Sequence, residues 1–164
     1  MINNKPKKES NPRTDLQRAD FEHRAIWAGL LIDEAKKAGL TTEFAHNAIR
    51  RCGHFHGNNK YPRTNDLKEF ACAFANEDVV KTFEMEILDN DDEKLSIDFH
   101  YCPLVAGWLK AGLKEEDLPE LCDIAMDGDR GIIDTYPEFN FELGKTIAKG
   151  DDVCQIRITK GPKK

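Results

Sequence analysis

The segment Asp98-Phe99-His100-Tyr101-Cys102-Pro103 places three chemically active side chains at alternate positions. In a strand Asp98, His100 and Cys102 would share one face, because side chains alternate with a period of two. Pro103 suits the first turn of a helix, which would place the Cys102 thiol at a helix N-terminus. Backbone N–H groups and the helix dipole lower the pKa of a thiol in that position. The segment therefore predicts a nucleophilic or anion-binding Cys102 with His100 as its proton relay.

The same pattern also fits a structural role for Cys102. Free cysteine is among the most buried residue types and packs as a small apolar side chain. In that case Cys102 belongs to the core, His100 points into solvent, and neither residue takes part in chemistry.

The chain has five cysteines, at positions 52, 72, 102, 122 and 154. An odd number without a Cys-x-x-Cys pair argues against a disulfide scaffold and against the common zinc motifs. Cys154 lies on the apolar face of a predicted strand, and Cys122 lies near the apolar edge of a predicted helix. With Cys102 and His100 they could form a zinc site, but such sites usually contain a close ligand pair. We therefore predict no metal and no cofactor.

Further candidate residues lie outside this segment. His54 and His56 stand two positions apart in the glycine-rich stretch 53–59, which predicts a loop. They could reach a substrate or metal, or simply decorate the loop. Arg157 lies on the strand face opposite Cys154, where a guanidinium can clamp a carboxylate with two hydrogen bonds. An ordinary exposed strand charge fits Arg157 equally well.

The periodicity of the chain changes from helical in its first half to mixed in its second half. Apolar spacing predicts helices that begin at Thr14 or Asp15, after Thr41 and near Thr64, with glycines ending the first two. Alternation then predicts a hairpin from 79–87 and 95–102, followed by two helices. The second of these helices is expected to break at Gly128. Two final strands complete an α+β domain, in which N-terminal helices precede ββ-αα-ββ and a four-stranded antiparallel sheet packs on helices.

Composition narrows the functional classes. The 164 residues suit one domain, and we expect a single domain over 14–160 after a disordered tail, 1–13. A net charge of −6 disfavours nucleic-acid binding. No apolar run approaches the roughly 20 residues of a membrane span, and the polar N-terminus lacks a secretory signal. We expect a cytoplasmic protein with a small-molecule partner and no membrane or nucleic-acid partner; a homo-oligomer is compatible with the sequence.

Four short motifs in the second half carry a family resemblance. They are His100-Tyr101-Cys102-Pro103, Leu121-Cys122-Asp123, Tyr136-Pro137 and Lys145-Thr146-Ile147-Ala148-Lys149-Gly150-Asp151-Asp152-Val153-Cys154. In this order they resemble the L-2-amino-thiazoline-4-carboxylic acid hydrolase family over roughly 80–159. The resemblance implies a bacterial cytoplasmic enzyme in which water opens a thiazoline ring and gives N-carbamoyl-L-cysteine.

Such a reaction needs a group that attacks or activates water, a proton donor for sulfur and a clamp for the substrate carboxylate. We assign Cys102 as nucleophile or substrate contact and His100 as general base. The amidine would meet Asp123 or Asp98, and the carboxylate would meet Arg157. The remaining candidates, Cys122, Cys154, His54 and His56, would line the substrate site.

A competing hypothesis is a small-molecule-binding domain without turnover. The order of helices and hairpins is similar to that of binding domains of the vinyl-reductase type. The cysteines would then line a pocket or hold a metal. A structural or interaction module is the third interpretation, favoured if packing fills the histidine–cysteine face.

Overall fold

The computed structural model describes residues 1–163. Within that range the helices and strands are α1 (Pro12–Lys37), α2 (Glu43–Asn59), α3 (Leu67–Phe74), α4 (Glu77–Phe83), β1 (Met85–Asn90), β2 (Lys94–Phe99), α5 (Pro103–Lys110), α6 (Leu118–Asp134), β3 (Phe139–Leu143) and β4 (Cys154–Lys160). Side-chain caps begin three of the helices, because Asn11, Asp66 and Asn76 each accept an N–H of the first turn. The predicted order, helices first and then ββ-αα-ββ, is confirmed.

The four strands form one antiparallel sheet in the order β1-β2-β4-β3. Phe99 of β2 is paired with Met85 of β1 on one side and with Cys154 of β4 on the other. The side chains of Leu95, Ile97 and Phe99 are buried and form the inner face of the sheet with their partners on β4. This confirms the predicted α+β class with a four-stranded antiparallel sheet.

The helix α2 packs along α6 at very close range. A Cβ added to Gly53 would lie 2.2 Å from the carbonyl oxygen of Gly128, so the backbones touch where the two helices cross. The predictions that α2 ends at Gly53 and that α6 breaks at Gly128 are therefore wrong. Both helices continue through their glycines, which serve close packing. As a result His54 and His56 lie on a helix, where a loop was predicted.

The helix α1 packs on α5 through small residues. Trp108 of α5 donates its indole N–H to the carbonyl of Ala25 at 2.9 Å, and its ring lies against Gly29. The apolar residues Leu16 and Trp27, which follow the helical spacing of this segment, are exposed, Trp27 at 66%. The small side chains form the packing face because they let Trp108 approach the helix backbone.

A helix replaces the first part of the predicted strand at 79–87. Asn76 caps α4, and its side chain accepts the N–H of Val79. Glu84 then adopts a left-handed conformation, φ 50°, which ends the helix and turns the chain into β1. The alternation of apolar residues over 79–83 also fits a short amphipathic helix once the cap is considered.

The N-terminal residues 1–11 contain neither helix nor strand. They nevertheless lie against the domain, and Ile2 packs on the edge of the core. The division into a tail, 1–13, and one domain, 14–160, stays a prediction, although α1 already begins at Pro12. Among residues 1–163 no helix has both the length and the apolar character that crossing a membrane requires.

Candidate functional site

Cys102 occupies the position predicted for it, the N-cap of α5. Its carbonyl accepts the N–H of Ala106 in the first turn of that helix. The residue is only 7% exposed, and the side chain of Asn4 covers its backbone. The Cys-Pro junction thus places a buried thiol at a helix start.

Burial raises the pKa of the Cys102 thiol to about 11. The backbone N–H groups of Val105 and Leu104 act in the opposite direction, as expected at a helix N-terminus, but their effect is smaller. The expectation of a lowered pKa is therefore wrong, because loss of water around the sulfur outweighs the helix start. At neutral pH the resting protein holds Cys102 as a protonated thiol.

The other two buried cysteines converge on Cys102, although they lie far apart in the sequence. Cys122 comes from the first turns of α6, and Cys154 begins β4 beside Phe99. Burial raises the pKa of both thiols, that of Cys122 to about 12, and the nearby Cys102 raises each further. We call Cys102, Cys122 and Cys154 the thiol cluster. Its convergence is a product of tertiary packing.

Thr146 lies beside the thiol cluster and was not predicted as a site residue. It is 1% exposed, and among residues 1–163 its Oγ1 has no hydrogen bond of ordinary geometry. It still lies near enough to Cys122 to lower the pKa of that thiol. The N–H of Thr146 donates to Asp151 at 3.0 Å, and the N–H of Ile147 donates to the sulfur of Cys154 at 3.3 Å. Its position in the 145–154 motif is the sequence feature that could have identified Thr146 as a site residue.

Asp98 and Arg157 lie on the outer face of the sheet, away from the thiol cluster. Arg157 donates to the Asp98 carboxylate at 2.6 Å and to the carbonyl of Ile97 at 2.9 Å. Since Asp98 precedes the inward-facing Phe99, strand alternation directs its side chain to the opposite side. The structure brings these two predicted residues together but separates them from the cysteines.

His100 also lies toward the outer face. Its Nε2 hydrogen-bonds to Glu86 at 2.8 Å, and Glu86 is paired with Asp98 across β1 and β2. Its Nδ1 is buried and has no hydrogen-bond partner among residues 1–163. The strand ends at Phe99 and the chain bends at His100, so the predicted common face of Asp98, His100 and Cys102 does not form.

The remaining predicted residues lie along α2 and α6. Asp123 accepts from Arg130 at 2.6 Å, and its charge raises the pKa of the neighbouring Cys122 thiol. His54 hydrogen-bonds to Asp134 at 2.8 Å, at the far end of α6. At 1.5 Å per residue, the twelve positions between Cys122 and Asp134 span about 18 Å. His56, on the same part of α2, has its ring against Phe55. Neither histidine joins the thiol cluster.

A second polar cluster joins α2 to α6 around the buried Asp127. His46 contacts this carboxylate at 2.6 Å, and Arg130 donates to it at 3.0 Å. Burial acts to raise the pKa of Asp127, but the hydrogen bonds from His46 and Arg130 outweigh it and lower the pKa. The charge pairs explain how α6 buries a carboxylate against α2.

Metal-binding geometry and cavities complete the description of the site. Among residues 1–163 no group of three or more histidine, cysteine or acidic side chains is arranged as ligands for a metal ion. A cleft of about 340 Å³ lies beside Tyr101, the residue before Cys102, with Lys8, Arg18 and Lys110 among its walls. A second cleft, of about 500 Å³, lies at Tyr136 and touches none of the predicted site residues.

Comparison with known proteins gives one family and one related fold. A family model described as L-2-amino-thiazoline-4-carboxylic acid hydrolase matches residues 18–158. Among solved structures, a trafficking protein particle complex subunit 3 from Naegleria fowleri, covalently bound to palmitic acid, is similar to this chain. The two are 17% identical with a TM-score of 0.58, over 87% of this chain and 95% of that one. At this identity the likeness shows the fold alone. No curated protein matches the chain.

Proposed function

Because the chain belongs to the L-2-amino-thiazoline-4-carboxylic acid hydrolase family, whose model matches residues 18–158, we propose that it is a hydrolase that opens the ring of L-2-amino-thiazoline-4-carboxylate or a related cyclic amidine. The family resemblance predicted from the motifs is confirmed. The observation that carries the proposal is the convergence of Cys102, Cys122 and Cys154 within the matched range. The proposed setting is the bacterial cytoplasm, with a small molecule as partner.

In the proposed reaction water adds to the ring carbon between nitrogen and sulfur, and the carbon–sulfur bond breaks. The carbon becomes the carbonyl of a urea group, the sulfur takes up a proton, and the product is N-carbamoyl-L-cysteine. If Cys102 attacks first, its sulfur bonds to that carbon and the ring sulfur leaves as a thiol. Water then displaces Cys102 and restores its thiol. Both routes consume water and need no oxidant or reductant.

The buried thiol constrains how the first step begins. Cys102 is protonated at neutral pH, because burial raises its pKa to about 11. As a nucleophile it must lose this proton inside the site, and the amidine nitrogen of the substrate is an acceptor next to the reacting carbon. The hydroxyl of Thr146, which has no hydrogen bond of ordinary geometry among residues 1–163, would hydrogen-bond to the same amidine, and Asp123 would balance its positive charge.

His100, the predicted general base, is left out of this proposal, because its Nε2 hydrogen-bonds to Glu86 toward the outer face of the sheet, away from the thiol cluster. Asp98 and Arg157, paired with each other across the sheet from the thiols, are left out of this proposal, as are His54 and His56.

The proposal is tested by incubating the purified chain with L-2-amino-thiazoline-4-carboxylate and following N-carbamoyl-L-cysteine by chromatography and mass spectrometry. Product that forms in proportion to protein concentration supports the proposal. Full folding without product above the uncatalysed rate, for this substrate and for related cyclic amidines, would refute it.

A non-catalytic binding domain is the second candidate. Buried thiols of raised pKa are poor nucleophiles at rest but suit the wall of an apolar pocket. The related fold of the trafficking subunit, which is covalently bound to palmitic acid, favours a ligand of apolar character. Intact-mass spectrometry of freshly purified protein separates the two candidates. An acyl adduct that hydroxylamine removes would favour the binding domain.

A further inference from the structure

The first eight residues run across the candidate site, and we call them the N-terminal strap (residues 1–8). The backbone N–H of Ile2 donates to Glu115 at 3.1 Å, which fixes one end of the strap beyond α5. The N–H groups of Lys7 and Lys8 donate to Glu84, which fixes the other end. Between these two anchors the strap crosses the start of α5.

Asn4, in the middle of the strap, binds the backbone of Cys102 twice. Its Nδ2 donates to the Cys102 carbonyl at 2.8 Å, and its Oδ1 accepts the Cys102 N–H at 2.9 Å. One side-chain amide thus pairs with both backbone groups of one residue, in the manner of a neighbouring strand. The contact places the strap directly over the residue that carries the candidate nucleophile.

Glu84 anchors the strap and also has a partner that lies outside the strap. The residue is 1% exposed, and a buried carboxylate is costly unless it is paired. Two of its donors are the strap N–H groups, and a third is Arg18, which donates to Oε1 at 3.1 Å. Arg18 belongs to α1 and stays when the strap lifts, so Glu84 keeps a charge partner in the open state.

The cleft beside Tyr101 lies under the same segment. Pro6 and Lys8 of the strap form one wall of it, and Arg18 and Lys110 contribute others. Lifting the strap would widen this cleft at the point where the chain leads into Cys102. A route from solvent to the thiol therefore follows from one local movement.

We propose that the N-terminal strap is a gate over Cys102, closed by Asn4 and latched by Glu84. The gate goes beyond the proposed function, since it controls access to the thiol whether Cys102 reacts or only lines a pocket. Access then occurs through the open state, and the rate of thiol modification is proportional to the fraction of molecules that are open.

The test is site-resolved alkylation of the full chain by iodoacetamide under native conditions, read by peptide mass spectrometry. Asn4→Ala removes both hydrogen bonds to Cys102 and should raise the alkylation rate of Cys102 about tenfold. Lys7→Pro removes one latching N–H at Glu84 and should raise it as well. Cys52 and Cys72 are exposed and serve in every sample as internal controls for the activity of the reagent. Their alkylation rates should not change.

Asn3→Ala is the matched control, because Asn3 neighbours Asn4 and is exposed. It should leave the Cys102 rate unchanged. The proposal is overturned if neither Asn4→Ala nor Lys7→Pro changes the Cys102 rate by more than about twofold while both remain folded by circular dichroism. An equal rise at Cys122 and Cys154 would also overturn it, since that result reports a general loosening of the core.

Discussion

Cys154 lies directly opposite Phe99 in the pairing of β4 with β2. Directly opposed residues share a face, so Cys154 faces inward with Phe99, while the preceding Asp98 faces outward. This relationship divides the predicted site into two parts. The thiol cluster lies on the inner face of the sheet, toward the helices. The ion pair of Asp98 with Arg157 lies on the outer face.

The outer ion pair is expected to stabilise the sheet without acting on substrate. Arg157→Met should lower the free energy of unfolding by about 1 kcal/mol, because the pair is only partly shielded from water. Urea unfolding measures this change. Adding Asp98→Asn to Arg157→Met should cause no large further loss in the free energy of unfolding. Turnover should stay near that of the wild type. A variant as stable as the wild type but without turnover would show that Arg157 binds substrate.

The crossing of α2 and α6 should reject a methyl group at Gly53. Gly53→Ala places Cβ 2.2 Å from the Gly128 carbonyl oxygen, and overpacking of this kind costs about 2 kcal/mol or more. Gly128→Ala is the matched control, because its Cβ meets only Ile49, at 3.7 Å, and alanine favours helix. Thermal unfolding should rank Gly53→Ala well below both Gly128→Ala and the wild type. Equal melting temperatures would contradict the described helix crossing.

The Asp127 cluster predicts a stability loss that depends on pH. Its pKa is lower in the folded protein than in the unfolded chain, so it stabilises the fold above the unfolded pKa and loses this effect as pH falls through the folded value. Asp127→Asn should cost about 2 kcal/mol at pH 7 and less at pH 3. Urea unfolding at both pH values measures this, with the exposed Asp20→Asn as control. A loss of the same size at pH 3 would contradict the charge argument.

The Cys102 thiol should become more reactive as pH rises. Because burial raises its pKa to about 11, the thiolate fraction grows about tenfold per pH unit between pH 7 and 9. The alkylation rate of Cys102 itself, at constant reagent concentration from pH 7 to pH 9, measures this. A rate that is already level at pH 8 would instead show the lowered pKa that the helix start alone predicts.

Local patterns in the sequence predict the elements better than they predict their contacts. The hairpin from β1 and β2 follows from alternation of period two, and the start of α5 follows from Pro103. Gly53 and Gly128 resemble helix ends in the sequence, yet they serve a contact between segments 75 positions apart. The exposure of the apolar Trp27 on α1 cannot be predicted from helical spacing either, because the packing face of α1 depends on the shape of α5.

The candidate site was predictable only in part. Cys102 could be found, because its chemistry depends on the neighbouring Pro103. The nearness of Cys122 and Cys154 depends on how α6 and β4 pack, which spacing does not encode. Asn4 was out of reach too, since only the path of the chain brings it to Cys102.

Ring opening is expected to take place at the thiol cluster. The most direct test compares Cys102→Ser with Cys72→Ser, a matched substitution at an exposed cysteine of α3, in formation of N-carbamoyl-L-cysteine from L-2-amino-thiazoline-4-carboxylate. We predict that Cys72→Ser retains the wild-type rate, and that Cys102→Ser, while still folded, loses at least about a hundredfold. A wild-type rate in Cys102→Ser would exclude a role for this thiol in ring opening.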